Sequence, residues 1–259
     1  MIAPGFAGVE AQLWLWLFAM IRPGAALIAA PILGAAAVPL QLRIILALAI
    51  GIAAMNSVTF TLPEGGLATV SGLAMVAGEV IAGLALGFAL QIGYAAAFIA
   101  GETIANAMGL GFSSMVDPLT GSSTAVVGQF LSLVATFLLL VMDGHLMLIR
   151  FVIDSYVALP PGGGLMPAGA FESIAAFGSA MFSAGATIAL PVTFTLILVQ
   201  LVMAMLARTA PSLNLFAVGM PAALLAGLVL LAIGAPVMGE AIEDALRASL
   251  GLAQMLAGG

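Results

Sequence analysis

The chain has no cysteine and no lysine, a single histidine, and charged residues at only 6% of its 259 positions. Without cysteine there are no disulfides and no thiolate metal sites. His145, the single histidine, cannot build a histidine-rich metal cluster. The five basic residues are Arg22, Arg43, Arg150, Arg208 and Arg247, and they form no cluster. That excludes the basic footprint nucleic acid requires and a polybasic tail for anionic lipid. Lacking lysine, the chain cannot form a phosphate-cradling loop of the Gly-rich, lysine-containing kind. No HExxH metal motif and no Gly-x-Ser-x-Gly nucleophile elbow occurs. The N-terminal residues carry Glu10 and no basic residue before Trp14. That is a poor signal-peptide start, so the first apolar segment is expected to be retained.

Hydrophobic residues make up 64% of the chain. A soluble protein carries roughly a quarter charged residues, and no compact soluble domain hides so much apolar surface. The solvent for this chain is lipid, or a protein assembly that replaces lipid. Apolar segments fall near 11–33, 38–55, 67–100, 125–153, 174–206 and 213–238. They are continuous and rich in Leu and Ala, which favours helices over the alternating ten-residue strands of a barrel. Pro191, Pro221 and Pro236 lie inside such segments, and 31 Gly accompany 13 Pro. The fold expected is an all-α integral membrane protein with broken helices and close backbone packing. Gly83 and Gly87 have the spacing of a small-residue helix contact. Residues 239–256 place Ile242, Leu246, Leu250 and Ala253 at helical spacing, predicting a short amphipathic helix on the membrane or on a partner. Arg43 and Arg208 flank the two shortest connections, which puts both on the cytoplasmic side.

Three stretches read as exposed or irregular chain: 56–66, 158–170 and 109–124. The third, GLGFSSMVDPLTGSST, is rich in Gly and Ser, and Asp117-Pro118 is a turn signal. It lies between strongly apolar segments. Irregular backbone at membrane depth must be buried in protein or line a watery cavity. Met108 and Met115 flank or lie within it, and flexible methionines can seal around a variable occupant. The remaining polar candidates are charges and amides within apolar segments. Glu79 stands alone in its segment and is expected to face protein or water. Glu102 and Asn106 share a helix face before the loop and are read as satisfying its backbone groups. Arg150 and Asp154 form an i, i+4 pair inside the protein, with Asp143 nearly two turns earlier, and His145 is a structural imidazole. From the residues alone two classes stand: a proton-coupled secondary transporter using Glu79 or Glu102, and a structural piece of a larger channel.

Specific strings decide between them. Ala30-Pro31-Ile32-Leu33-Gly34 precedes Val38-Pro39 and Arg43. Gly101-Glu102 leads through Met108-Gly109-Leu110-Gly111-Phe112 to Val116-Asp117-Pro118. Gly144-His145-Leu146, Leu159-Pro160 and Ala189-Leu190-Pro191 follow. Arg208-Thr209-Ala210-Pro211-Ser212-Leu213-Asn214-Leu215-Phe216 then continues to Met220-Pro221. The ordered set, covering roughly residues 20–221, resembles the FliR family of flagellar type III secretion export-gate proteins, which has injectisome relatives. Asp143 stands where the family often has Asn, and Arg43 where Lys is common.

The resemblance implies a FliP-like helical part over 1–172, a FliQ-like helical hairpin over 173–238 and a C-terminal amphipathic helix and tail over 239–259. It implies assembly with FliP and FliQ in a hetero-oligomeric gate containing one copy of this chain. FlhB and FlhA lie nearby, at the base of the flagellar basal body in the inner membrane. Unfolded flagellar proteins pass through that gate, and a loop of this subunit plugs it. The matching plug positions are about 109–123, with Met108 and Gly109 at its start, then Gly111, Phe112, Ser113 and Ser114, then Met115, Asp117, Pro118 and Gly121. Arg208 and Pro211 mark the cytoplasmic turn of the hairpin. No catalytic residue, metal or organic cofactor is implied. The injectisome version of the same gate is the near alternative.

Overall fold

The computed structural model describes residues 7–62, 66–67, 69–110, 126–162, 166–209 and 215–258. Helix dominates, and the described residues contain no strand. In chain order the helices are α1 (Ala7–Ala19), α2 (Ile21–Ala29), α3 (Leu40–Ala54), α4 (Val70–Ala107), α5 (Val126–Val141), α6 (Gly144–Ala158), α7 (Ala168–Thr209) and α8 (Leu215–Leu256). Among the described residues, four helical stretches are long and apolar enough to cross a membrane: Val9–Ala29, Val70–Ala107, Gly169–Thr209 and Val218–Leu256. The 15 residues of α3 rise about 22 Å, short of the roughly 30 Å hydrocarbon core.

The segment read as continuous over 125–153 is two helices, α5 and α6, bent by 63°. Asp143 sits between them in the left-handed region, φ 55°, which an uninterrupted helix does not allow. Conversely, the expected separate helix over 239–256 is the continuation of α8, which runs through both Pro221 and Pro236. A proline costs one backbone hydrogen bond but need not end a helix whose neighbouring turns stay packed.

The chain divides into two compact units, each built from separate stretches of sequence. The first contains Met1–Ile92, Leu139–Gly178 and Arg247–Gly259. Its core joins Phe18, Leu27, Leu86, Leu90, Leu148 and Phe151 to Leu250 and Ala253 at the end of α8. Phe60 stacks edge-on with Phe18 at 6.3 Å and lies 5.0 Å from the Tyr156 ring. So the stretch read as exposed over 56–66 sends one aromatic side chain into the core, while Asn56 and Ser57 stay on or near the surface. The second unit contains Gly93–Leu138 and Ser179–Leu246. Its buried residues fall at helical spacing: Ala96, Ala100 and Ile104 on α4; Val127, Leu131 and Ala135 on α5; Ile188, Val192 and Leu196 on α7; Ile242 and Leu246 on α8.

The connection from α2 to α3 is tightly pinned. Pro31 follows the last turn of α2, and Ile32 has φ 68°, a conformation costly for a β-branched residue. Arg43, in the first turn of α3, donates from Nη2 to the carbonyls of Ala35 and of Val38, the latter at 3.1 Å. These bonds fasten the start of α3 to the connection that precedes it.

Candidate functional site

In the first unit, the site is built around a buried cation. Arg22 on α2 is completely buried, and so is Glu79 on α4 except for 2% of its surface. Arg22 Nε donates to Glu79 Oε2 at 2.8 Å and Nη2 donates to Glu79 Oε1 at 2.9 Å, a two-pronged pair. Nη1 donates to Ser155 Oγ at 3.0 Å, and Nη2 also donates to the Leu159 carbonyl at 2.9 Å. The guanidinium carbon lies 3.9 Å from the centre of the Tyr156 ring. Tyr156 in turn donates its hydroxyl to the Ala19 carbonyl at 3.1 Å. One cation therefore ties α2, α4 and the end of α6 together. An isolated charge of either sign is expensive in a low-dielectric interior; a fork-shaped pair with its remaining donors satisfied is tolerated.

The local sequence brings the two charges together. Glu79, Gly83 and Gly87 follow one another at i, i+4, i+8 and share a face of α4. A Cβ on Gly83 would lie 2.2 Å from the Arg22 carbonyl, and one on Gly87 2.3 Å from the Ala26 carbonyl. The bare backbone of α4 thus lets α2 approach until Arg22 meets Glu79.

In the second unit, α4 and α5 pack closely against each other. A Cβ on Gly101 would lie 2.4 Å from Gly128 Cα, so the two helices cross backbone against backbone. The half-buried Glu102 stands beside that crossing, its Oε1 2.8 Å from where a Gly128 Cβ would lie. Helix α4 then stops sharply. Gly109 takes φ 81°, its N–H bonds to the Asn106 carbonyl at 3.0 Å, and the Leu110 N–H bonds to the Ala105 carbonyl at 3.0 Å. That pair of bonds is a Schellman stop, which glycine closes at the left-handed position.

The other expected site residues fall in several places. Glu79 is buried as a paired side chain. Glu102 and His145 are half-buried, Asn106 is exposed, and Met108 is buried. His145 Nδ1 is enclosed without a hydrogen-bond partner. Arg150 and Asp154 do pair, at 3.5 Å, but on the outside of α6, with side chains 81% and 55% exposed. They point outward because Leu148, Phe151, Val152, Ser155 and Tyr156 occupy the buried face of the same helix. The pair borders a cavity of about 520 Å³ with Gln254 and Gly258. Arg208 lies in the last turn of α7 and is exposed. Gly111, Phe112, Ser113, Ser114, Met115, Asp117, Pro118, Gly121 and Pro211 lie outside the described residues. No group of three or more His, Asp or Glu able to hold a metal occurs among the described residues.

Sequence reasoning passed over Arg22, Ser155, Tyr156 and Gln200. The signal for Arg22 was present, since it is a charge inside the apolar segment 11–33, and the rule that singles out Glu79 applies to it equally. Gln200 is an amide in an otherwise apolar run of α7. An amide there needs a partner, and Nε2 finds one in the Ala107 carbonyl at 2.7 Å, at the end of α4.

Together the helices and the charge lock define an integral membrane protein of all-α class, with no strand among its described residues. Residues 13–249 match the family described as bacterial export proteins, family 1. The chain is similar to the flagellar biosynthetic protein FliR of Escherichia coli (strain K12), at 33% identity over 242 residues, 91% of each chain. It is 30% identical to the protein of that name from Aquifex aeolicus (strain VF5) over 212 residues, 80% of each chain. With that of Pectobacterium carotovorum subsp. carotovorum it shares 35% identity over 170 residues, 66% of this chain and 65% of the relative. The chain belongs to the FliR family of bacterial export proteins, a component of the flagellar export apparatus.

Proposed function

We propose that this chain is a structural subunit of the flagellar type III protein export gate. With FliP and FliQ it forms the pore through which unfolded flagellar proteins cross the inner membrane at the base of the basal body. One copy of this chain joins several of each partner, with FlhB and FlhA nearby. Residues 1–172 act as the FliP-like part, with 109–123 as the plug, and 173–238 as the FliQ-like hairpin with Arg208 and Pro211 at its cytoplasmic turn. The observation that carries the reading is a family match from 13 to 249 in a chain whose long helices leave apolar faces unpartnered. On α7, Phe194, Ile197, Leu201 and Met205 are each more than half exposed, and on α8 so are Leu225, Leu228, Val229 and Ile233. Exposed apolar faces at helical spacing fit contact with lipid and with other apolar helices.

The pore begins closed in this mechanism. The backbone crossing of α4 on α5 and the Schellman stop at Gly109 hold the N-terminal root of the plug in one direction. Glycines and small hydroxyl residues in 109–123 supply a chain that an arriving polypeptide displaces. Deleting 110–120 tests this. Cells carrying the deletion are expected to leak ions and small solutes while the complex with FliP and FliQ still forms. An assembled deletion complex in a membrane of normal tightness overturns the plug.

A further inference from the structure

Two neighbouring helices grip the last turn of α4. The carbonyls of Ile104, Ala105 and Asn106 are taken by the N–H groups of Met108, Leu110 and Gly109. Ala107 follows them, and the last carbonyls of a helix lack intrahelical partners. Gln200 on α7 donates to the Ala107 carbonyl at 2.7 Å. Next in sequence, Met108 is 1% exposed and seats its side chain against Gly227 on α8. A Cβ at Gly227 would lie 2.5 Å from Met108 Cγ and 2.8 Å from its Sδ, so the notch exists only because residue 227 has no side chain. Gly109 then turns the chain out of the helix at φ 81°.

We infer that Gln200 and Gly227 are positioning residues that latch the end of α4, and that this latch sets how tightly the gate is shut at rest. The second half of this inference rests on the reading of 109–123 as the plug. Gln200 is exposed, so the bond it makes to Ala107 can open without unfolding either helix.

The test uses the assembled complex, purified in mild detergent for hydrogen exchange and left in cells for leak measurements. Gln200→Leu removes the donor. Gln200→Glu keeps the length and polarity but only accepts when ionised. Both are expected to speed amide exchange at Gly109 and Leu110 by about two- to tenfold and to raise ion leak, with the complex intact. Gly227→Ala, which displaces Met108, is expected to do the same. Unchanged exchange at those two amides in all three variants overturns the latch. Faster exchange with a tight membrane, when the 110–120 deletion leaks, overturns its role in gating. If the deletion itself is tight, the plug reading falls and the exchange rates alone decide whether the latch exists.

Discussion

Replacing Glu79 by Leu should be among the most damaging single changes in the chain. Arg22 would stay completely buried with Ser155 Oγ and the Leu159 carbonyl as its remaining hydrogen-bond acceptors. Removing one member of a buried ion pair costs about 3–5 kcal/mol, chiefly because the other charge is left uncompensated. Arg22→Met alone strands the Glu79 carboxylate and costs a similar amount. The double variant Arg22→Met/Glu79→Leu strands nothing and should lie close to the parent, since apolar replacement of a buried pair is often neutral. The two changes therefore couple by roughly 3 kcal/mol or more in a double-mutant cycle. Tyr156→Phe separates the ring from the hydroxyl. It keeps the face beneath Arg22, loses only the bond to Ala19, and should cost about 1 kcal/mol. The assay is unfolding of the full chain in mild detergent, followed by circular dichroism. At about 2–4 °C per kcal/mol for large chains, Glu79→Leu should lower the midpoint by roughly 6–20 °C. A Glu79→Leu loss below about 1 kcal/mol, or a double variant no better than the worse single, refutes the lock.

Gly101→Ala should force α4 and α5 apart, because its Cβ would lie 2.4 Å from Gly128 Cα; a loss of about 1–3 kcal/mol and weaker motility on soft agar are expected. Ile32→Gly should leave stability, read from the unfolding midpoint, within about 1 kcal/mol of the parent, because relief of about 1–2 kcal/mol of left-handed strain offsets the lost half-buried side chain and the extra chain entropy of glycine. Arg150→Ala should leave stability within about 1 kcal/mol of the parent in the same assay, since the pair with Asp154 is largely exposed at 3.5 Å.

Class and chemistry were legible because they depend on what is scarce. Six per cent charge excludes a soluble core whatever the order of residues, and Leu- and Ala-rich runs give helix over strand. The family was legible because its strings keep their order from Ala30 to Pro221. Helix boundaries were less so. The bend at Asp143 depends on a left-handed residue that composition does not mark, and α8 runs on through Pro236 although a proline ordinarily signals a kink or a stop. The lock was half legible. Glu79 stood out, but its partner lies 57 residues earlier, and periodicity within one helix says nothing about which other helix faces it. Gly83 and Gly87 carried the missing information, since their spacing marks the face that another helix approaches. Gln200 escaped because one amide in an apolar run has meaning only once its acceptor is located.

The charge lock has a consequence for biosynthesis. Arg22 leaves the ribosome 57 residues before Glu79 and 133 before Ser155. At about 5–20 residues per second, the carboxylate follows by roughly 3–11 seconds and the hydroxyl by roughly 7–27 seconds. For that interval the first apolar helix carries a cation with no counter-ion, which translocation machinery charges at about 2.5–3.5 kcal/mol near a helix centre. Arg22 waits best at the membrane surface, where its long side chain reaches water. The first helix then commits to its depth only when the third apolar segment arrives to receive it, so the order of synthesis and the order of insertion need not be the same.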